Sequence, residues 1–152
     1  MDLSKAFLLR MTHIENVTHI LIQKGFNGVP AFPAQEIVYC VTSVQKIVES
    51  GLPFVFTDGH AVDHLSAQYE EKDVNRLEEL LDWQAIRSPQ FKSDVDLDLK
   101  RRKQAEFLVL GDIPTDCILG FVVYNAEASQ YLKHMGLADN QVHINKNYYF
   151  AL

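Results

Sequence analysis

The chain has 152 residues, of which 47% are hydrophobic and 22% are charged, a composition typical of a soluble globular protein. Its formal net charge of −6 excludes nucleic-acid binding through overall charge, so any such role depends on a local basic patch. The length and apolar content suffice for a substantial core, and we expect one domain over residues 1–152.

The two cysteines indicate a reducing compartment. Cys40 and Cys117 lie far apart in apolar runs, without the spacing of a metal site or of a disulfide framework. The N-terminus lacks the pattern of a secretory signal, and no apolar run approaches the roughly 20 residues that span a bilayer. We therefore expect a cytoplasmic monomer that has no contact with membranes.

The first half of the chain predicts short strands that alternate with helices and loops. In order, we predict a strand at Phe7–Leu9, a helix from Glu15 to Gly25, a loop from Phe26 to Gln35, a strand at Ile37–Val41, a helix from Ser43 to Gly51, a strand at Pro53–Thr57 and a helix from Ala61 to Glu71. Ser43 is a favourable N-cap, Gly51 is a favourable helix end, and the pair Asp58-Gly59 predicts a turn.

The second half continues in the same way. In order, we predict a helix at Val74–Leu81 capped by Asp73, a segment without strong periodicity from Trp83 to Lys103, a strand over residues 105–110, a turn at Asp112–Asp116, a strand at Cys117–Tyr124, a helix from Glu127 to Met135 that ends at Gly136, and a strand at Val142–Phe150. Five or six strands with short helices between them, and no internal repeat, predict an α+β domain.

One carboxylate follows a run of four cations at the start of the predicted 105–110 strand. In an extended chain, Glu106 shares a face with Leu108 and Leu110, so part of its surroundings should be apolar. A carboxylate in such surroundings is costly unless it has partners or a chemical role, which makes Glu106 a candidate catalytic residue. The alternative is an edge-strand glutamate that reaches solvent past the leucines.

Two further polar groups are candidates for a binding pocket. Thr12 and His13 offer a hydroxyl and an imidazole that together can hold a ribose or an amide, although an N-cap and a surface imidazole explain the same pair. Thr57 and Asp58, at the end of a predicted strand, can form a polar pocket floor, although a turn accounts for them equally well.

The basic run consists of Lys100, Arg101, Arg102 and Lys103. Such a run suits a polyanionic substrate, because phosphate contacts dominate affinity for nucleic acids. The alternative is a solvated segment neutralised by the aspartates that precede it. The sequence carries no glycine-rich phosphate loop, no metal-ligand motif and no nucleophile elbow, so we predict no metal site.

Five blocks of the chain, in this order, resemble the DarT family of DNA ADP-ribosyltransferase toxins. They are Met11–Val17 (MTHIENV), Phe54–Asp58 (FVFTD), Leu81–Trp83 (LDW), Lys100–Val109 (KRRKQAEFLV) and Tyr148–Phe150 (YYF). The resemblance runs over most of residues 8–150 and is most specific in the block KQAEFLV.

This resemblance implies an ADP-ribosyltransferase-like split β-sandwich, in which two small sheets surround an NAD cleft. Members transfer ADP-ribose from NAD to a base of single-stranded DNA, often thymine, and release nicotinamide. They are paired with a macrodomain antitoxin, which removes the modification. The resemblance therefore implies NAD as a substrate, and single-stranded DNA and a macrodomain-type antitoxin as partners.

The resemblance also assigns roles to individual residues. By position, Glu106 matches the catalytic glutamate, and Thr12 and His13 match the motif that contacts NAD, to which we add the pocket floor at Thr57 and Asp58. The segment from Trp83 to Lys103 falls where the family has its target-recognising loop. We expect Trp83 or Phe91 to stack on bases and the cations at 100–103 to hold phosphates.

The chain departs from the family pattern between Gly25 and Ile37, where its segment is shorter. No arginine occurs between Arg10 and Arg76, so the arginine that assists catalysis in the family has no matching residue. An alternative is therefore a catalytically silent or trimmed family member that binds only nucleic acid or an antitoxin. A further alternative is transfer of ADP-ribose to RNA or protein.

Overall fold

The computed structural model describes residues 2–14, 17 and 33–149, with only the backbone described for His13. The helix predicted from Glu15 to Gly25, apart from position 17, and most of the loop predicted from Phe26 to Gln35 lie outside these residues. The described chain divides into two compact units, Met1–Leu3 with Gly51–Gly111 and Ser4–Ser50 with Asp112–Leu152.

Within the described ranges, the strands and α-helices follow one another in a mixed order. They are β1 (Phe7–His13), β2 (Ile37–Ser43), α1 (Val44–Ser50), β3 (Phe54–Thr57), β4 (Gln68–Glu70), α2 (Leu77–Leu80), α3 (Trp83–Arg87), α4 (Leu99–Lys103), β5 (Phe107–Val109), β6 (Gly120–Val123), α5 (Ala126–His134) and β7 (Val142–Ile144). Short 3₁₀ helices lie at Leu3–Lys5, Ala34–Glu36, Glu71–Arg76, Thr115–Cys117, Asp139–Gln141 and Lys146–Tyr148. The mixture of sheets and short helices confirms the predicted α+β class.

The unit Ser4–Ser50 with Asp112–Leu152 is built on a four-stranded sheet in the order β1-β2-β6-β7. The pairs β1–β2 and β2–β6 are antiparallel, and β6–β7 is parallel. Val38 and Cys40 of β2 and Phe121 of β6 face a core that also contains Leu132 of α5, and all four side chains are buried. Burial of one face of each element against the other supplies the main driving force for this unit.

The ends of α5 are defined by local chemistry. Asn125 caps the helix, because its Oδ1 accepts a hydrogen bond from the backbone nitrogen of Ala128 at 2.8 Å. After the helix, Gly136 adopts a φ of 100°, in agreement with the prediction that the helix ends at this glycine. The predicted helix at Glu127–Met135 is therefore confirmed with a shift of one residue at each end.

The unit Met1–Leu3 with Gly51–Gly111 contains a three-stranded antiparallel sheet in the order β4-β3-β5. Phe54 and Phe107 stack with ring centroids 4.6 Å apart, and Phe56 stacks on Tyr69 at 5.2 Å. These cross-strand aromatic pairs stabilise a sheet whose strands have only three or four residues.

Two helical predictions in this unit were wrong in part. The predicted helix from Ala61 to Glu71 is a series of turns followed by β4, because Asp58 closes the loop through hydrogen bonds with Ala67 and because Tyr69 packs against Phe56. The helical turns from Glu71 to Leu80 are capped by Glu70, while Asp73, the predicted cap, accepts a hydrogen bond from the Glu70 nitrogen in a reciprocal capping box.

Other predicted elements also differ from the structure in type or in boundaries. The segment predicted without regular structure from Trp83 to Lys103 contains the helices α3 and α4, and the run of cations lies in α4 rather than in a loop. The last predicted strand ends at Ile144 and is followed by a 3₁₀ helix, and Phe150 lies outside the described residues. Among the helices that the structure describes, none has the length and hydropathy needed to cross a membrane.

Candidate active site

Glu106 lies immediately before β5 and is held at both its backbone and its side chain. Its carboxylate Oε2 accepts a hydrogen bond from the backbone nitrogen of Ala61 at 2.9 Å. No hydrogen bond to its second oxygen, Oε1, was found among the described residues. One carboxylate oxygen is therefore fixed, and the other can contact a ligand.

Thr57 fixes the backbone of Glu106. The Thr57 nitrogen donates to the Glu106 carbonyl at 2.9 Å, and the Glu106 nitrogen donates to Thr57 Oγ1 at 3.2 Å. The same hydroxyl donates to the Gly59 carbonyl at 2.6 Å and is buried, with 2% of Thr57 exposed. These bonds extend the β3–β5 ladder by one residue and place Glu106 next to the loop that follows β3.

The surroundings of Glu106 differ from the sequence-based expectation. Leu108 and Leu110 are 40% and 59% exposed, so they do not form an apolar environment for the carboxylate. Glu106 is nevertheless half-buried, because the polar loop from Asp58 to Ala67 covers it through the Ala61 amide. The carboxylate is thus partnered by a backbone donor, next to the edge strand β5 of its sheet.

Asp58 and Arg101 meet beside this loop. Arg101 Nη1 lies 3.1 Å from Asp58 Oδ1, which also accepts a hydrogen bond from the Ala67 nitrogen at 2.9 Å. Arg101 is further paired with Asp98 through Nε at 2.7 Å and Nη2 at 2.8 Å. The hydrogen bonds with Asp98 raise the pKa of Arg101 and lower the pKa of Asp98, and the Asp58 carboxylate raises the pKa of Arg101 further.

The next two cations of the basic run also have partners within the unit. Arg102 pairs with Asp82, Asp96 and Asp98, the last at 3.2 Å from Nε. Lys103 Nζ donates to the carbonyl of Ile86 at 3.2 Å and to that of Ser88, and burial lowers the pKa of Lys103. The contacts of Arg102 agree with the alternative of a segment neutralised by neighbouring aspartates, and Lys103 binds backbone carbonyls instead. A role of these residues in DNA binding stays a prediction.

Lys100 differs from the other three cations. Its Nζ lies 5.9 Å from the centroid of the Phe91 ring, and among the described residues it forms neither a hydrogen bond nor an ion pair. Trp83, the other predicted DNA contact, is half-buried, donates from Nε1 to the Leu77 carbonyl at 3.1 Å and lies below the Arg87 guanidinium. Lys100 thus differs in its contacts from Arg101, Arg102 and Lys103, and its role in binding a phosphate stays a prediction.

The predicted NAD-contacting pair lies in β1 of the other unit. Thr12 is fully buried and pairs with Val38 of β2, and the backbone of His13 pairs with Ile37. Thr57 and Asp58, by contrast, are brought together with Glu106 in one loop and strand end. The NAD-contacting roles of all four residues stay predictions.

The sequence block that contains Glu106 runs from α4 to the end of β5, and comparison with known proteins assigns the chain to a family. A family model described as "ssDNA thymidine ADP-ribosyltransferase, DarT" matches residues 21–150. The chain belongs to the DarT family. This membership confirms the resemblance seen in the sequence blocks.

A curated relative supports this membership, and two solved structures share the fold. A DNA ADP-ribosyl transferase of Escherichia coli is 30% identical over 134 residues, which cover 86% of this chain and 60% of the relative. The chain therefore spans 60% of the length of that relative. Thermus sp. 2.9 DarT in complex with NAD+ is similar with a TM-score of 0.79 and 22% identity, over 99% of each chain. Thermus sp. 2.9 DarT in complex with ADP-ribosylated ssDNA is similar with a TM-score of 0.79 and 21% identity, over 95% of this chain and 96% of that chain.

The solved DarT structures confirm the predicted ADP-ribosyltransferase-like fold. Sequence reasoning missed the Ala61 amide that binds the Glu106 carboxylate and the ion pairs of Arg101 and Arg102 with Asp98. A backbone donor leaves no signal in a sequence. The spacing of Asp98 to Arg101 and to Arg102, three and four residues, was a signal for ion pairs along a helix and could have identified these partners.

Proposed function

We propose that this chain transfers ADP-ribose from NAD to a thymine base of single-stranded DNA and releases nicotinamide, with Glu106 as the catalytic residue. The observation that carries the proposal is the Glu106 carboxylate, fixed at Oε2 by the Ala61 amide within the sequence block that matches the DarT family. The similar DarT structures, one in complex with NAD+ and one in complex with ADP-ribosylated ssDNA, support these substrates.

The geometry of Glu106 suits the chemistry of this transfer. Breaking the bond between nicotinamide and ribose develops positive charge on the ribose ring, as in glycoside hydrolysis. A carboxylate whose orientation is already fixed stabilises that charge without reorganising during the reaction. Because Oε2 is held by Ala61, Oε1 is the oxygen that we assign to a ribose hydroxyl.

Glu106 also provides a base for the second half of the reaction. The ring nitrogen of the acceptor base must lose a proton when it bonds to the ribose carbon. A carboxylate beside the reacting centre can accept this proton, and general-base assistance contributes about 10²–10⁴-fold to a rate. We therefore assign both charge stabilisation and proton removal to Glu106.

The family resemblance also implies substrate contacts, which we propose residue by residue. Thr12, His13, Thr57 and Asp58 are proposed to contact NAD, and Lys100 is proposed to bind a phosphate of the DNA. Trp83 and the cations Arg101, Arg102 and Lys103 border the proposed DNA path, although their contacts within the unit limit how far they can reach. A macrodomain-type antitoxin is the proposed protein partner, and the reaction is proposed to occur in the cytoplasm, by a monomer.

One observation favours a second candidate function. The chain has no arginine between Arg10 and Arg76, so a positioning group that the family uses has no counterpart. When catalytic groups act together, the effects of removing them are not additive, and loss of one group can remove most of the activity. The alternative is therefore a silent family member that binds nucleic acid or an antitoxin without transferring ADP-ribose.

Intact-mass analysis of a thymine-containing single-stranded oligonucleotide after incubation with the protein and NAD tests the proposal. We expect the oligonucleotide to gain the mass of one ADP-ribose. The rate of this reaction should fall by about 10²–10⁴-fold in Glu106→Gln. It should be unchanged in the control Glu79→Gln, which alters an exposed glutamate in the same compact unit of the protein. A thymine-free oligonucleotide should gain no mass. No product on DNA, with nicotinamide unreleased, would favour the silent alternative, and a product on RNA or protein would correct the substrate.

A further inference from the structure

We propose that Arg101 is a positioning residue for Glu106, which holds the loop from Asp58 to Ala67 so that the Ala61 amide meets the carboxylate. Its effect on catalysis rests on the proposed function, whereas its effect on the loop does not. The family resemblance placed Arg101 among residues that contact DNA. Its contacts in the structure point to a different role.

The Arg101 guanidinium contacts both ends of the loop. Nη1 lies 3.1 Å from Asp58 Oδ1, at the start of the loop, and 3.3 Å from Ser66 Oγ, near its end. Nε and Nη2 bind the two oxygens of Asp98 in a bidentate pair, which fixes the plane of the guanidinium. The Arg101 side chain is only 14% exposed, whereas its partners Asp58 and Asp98 are 25% and 45% exposed.

The Arg101 backbone holds the residue next to Ala61. The Arg101 carbonyl accepts a hydrogen bond from the His60 nitrogen at 3.1 Å, and the following amide, that of Ala61, donates to Glu106 Oε2 at 2.9 Å. The loop is closed on itself by the bond from the Asp58 nitrogen to the Ala67 carbonyl at 3.2 Å. Arg101 therefore contacts the loop at Asp58 and His60, before the donor that orients the carboxylate, and at Ser66, after it.

Lysine cannot reproduce this arrangement. A guanidinium presents donors in a rigid planar fork, whereas an ammonium is a point charge that cannot bind Asp98 in the same bidentate way and reach Asp58 and Ser66 together. Arg101→Lys thus keeps the charge and removes the geometry. Arg101→Met removes both while keeping most of the apolar stem.

The experiment compares wild type, Arg101→Lys, Arg101→Met and the control Arg76→Met, whose arginine is exposed and paired with Asp73 and Glu79. Hydrogen exchange at the Ala61 amide, measured by NMR on variants that retain a cooperative melting transition, reports on the loop without any requirement for activity. We expect faster exchange at Ala61 in both Arg101 variants and in Glu106→Ala, and no change in Arg76→Met.

Steady-state kinetics of ADP-ribosyl transfer provides the second measurement. We expect kcat to fall by about 100-fold in Arg101→Met, the scale associated with a misplacement of about 1 Å, with the KM for the oligonucleotide nearly unchanged. We expect the kcat of Arg101→Lys to lie between the kcat values of Arg101→Met and wild type. The salt dependence of oligonucleotide binding should be the same in all four proteins, because Arg101 does not contribute a phosphate contact.

Unchanged exchange at Ala61 in folded Arg101→Lys would overturn the inference, and so would an unchanged kcat accompanied by weaker DNA binding with a smaller salt slope. If wild type transfers no ADP-ribose, the proposed function fails, and the exchange measurement alone decides whether Arg101 positions the loop. If Arg101→Met does not fold, Arg101→Lys decides it.

Discussion

Gly59 lies against the Arg101 side chain so closely that a Cβ atom on Gly59 would come within 2.5 Å of Arg101 Nη1. The same atom would come within 2.7 Å of Ser66 Oγ and 2.9 Å of Arg101 Cγ. Because the guanidinium is fixed by Asp58 and Asp98, it cannot move aside without losing these partners. The glycine is thus required by a neighbouring side chain rather than by a turn conformation.

We predict that Gly59→Ala lowers the free energy of unfolding by about 1–3 kcal/mol, the usual cost of an overpacked site. Urea denaturation of Gly59→Ala, Arg101→Ala and the double variant measures this cost. In the double variant the clash with Arg101 is absent. The loss of unfolding free energy in the double variant should therefore be smaller, by at least about 0.5 kcal/mol, than the sum of the losses in the two single variants. Additive effects would contradict the close contact between the two residues.

The hydrogen bonds of Tyr149 lead to a second prediction. Its hydroxyl lies 2.9 Å from both the Ile37 carbonyl of β2 and the Val122 carbonyl of β6, and its ring packs edge-on against Tyr39 at 5.0 Å. We expect Tyr149→Phe to lower the free energy of unfolding by about 1 kcal/mol, since the ring contacts remain and the hydrogen bond is lost. Burial also raises the pKa of the Tyr149 hydroxyl, which keeps it protonated as a donor.

Tyr131→Phe is the matched control, because Tyr131 is 45% exposed on α5. Chemical denaturation should give a change within about 0.5 kcal/mol for this variant, as is usual for exposed positions. An equal effect in both variants would show that the Tyr149 hydroxyl contributes nothing specific to the sheet.

The buried thiols are predicted to be unreactive in the folded protein. Cys40 is 4% exposed, and its burial raises the pKa of the thiol to about 12 despite the opposing influence of Arg10. Because the thiolate is the reactive form, a rise of this size lowers its population by on the order of a thousandfold relative to an exposed thiol. Reaction with a thiol reagent at pH 8 should therefore require unfolding.

A time course of thiol modification with and without denaturant tests this prediction. The variant Gln90→Cys, at an exposed position, should react within the mixing time and confirms that the reagent is competent. Rapid modification of Cys40 in the native protein would contradict the burial that the four-stranded sheet provides.

Lys100 gives a prediction about DNA affinity. We expect Lys100→Gln to reduce the slope of log affinity against log salt concentration by about 0.7, the value for one phosphate contact on a single strand. Lys72→Gln should leave the slope unchanged, because Lys72 already pairs with Glu70 at 2.9 Å. Fluorescence anisotropy of a labelled oligonucleotide over a salt series measures both slopes, and equal slopes for wild type and Lys100→Gln would exclude this contact.

Much of the fold follows from short-range signals. Ile37–Val41 and Phe54–Thr57 were identifiable as strands because apolar runs of this length between turn residues have few other interpretations. Gly51, whose φ is 69°, was identifiable as a helix end because glycine adopts this positive φ readily and commonly follows the last helical residue. These features depend on neighbouring residues, which a sequence displays directly.

The loop from Asp58 to Ala67 and the helices α3 and α4 depend on contacts between distant positions. Helical spacing over residues 61–71 was outweighed by bonds from Asp58 to Ala67 and by the packing of Tyr69 on Phe56. The short helices are tied together by the pair of Arg102 with Asp82, twenty residues away. In the candidate site, the motif made Glu106 a candidate, whereas nothing in the sequence indicated its donor Ala61, because any residue other than proline supplies a backbone amide.

The chain connectivity of the four-stranded sheet has a consequence for the order of folding. β2 ends at Ser43 and its partner β6 begins at Gly120, and residues 51–111, which form most of the other unit, lie between them in the sequence. During synthesis, the 51–111 segment emerges before β6 and β7 exist, so its local contacts can form while β2 still lacks its second neighbour. Pairing of β2 with β6 then closes a long loop, which makes completion of this sheet the expected slow step of folding.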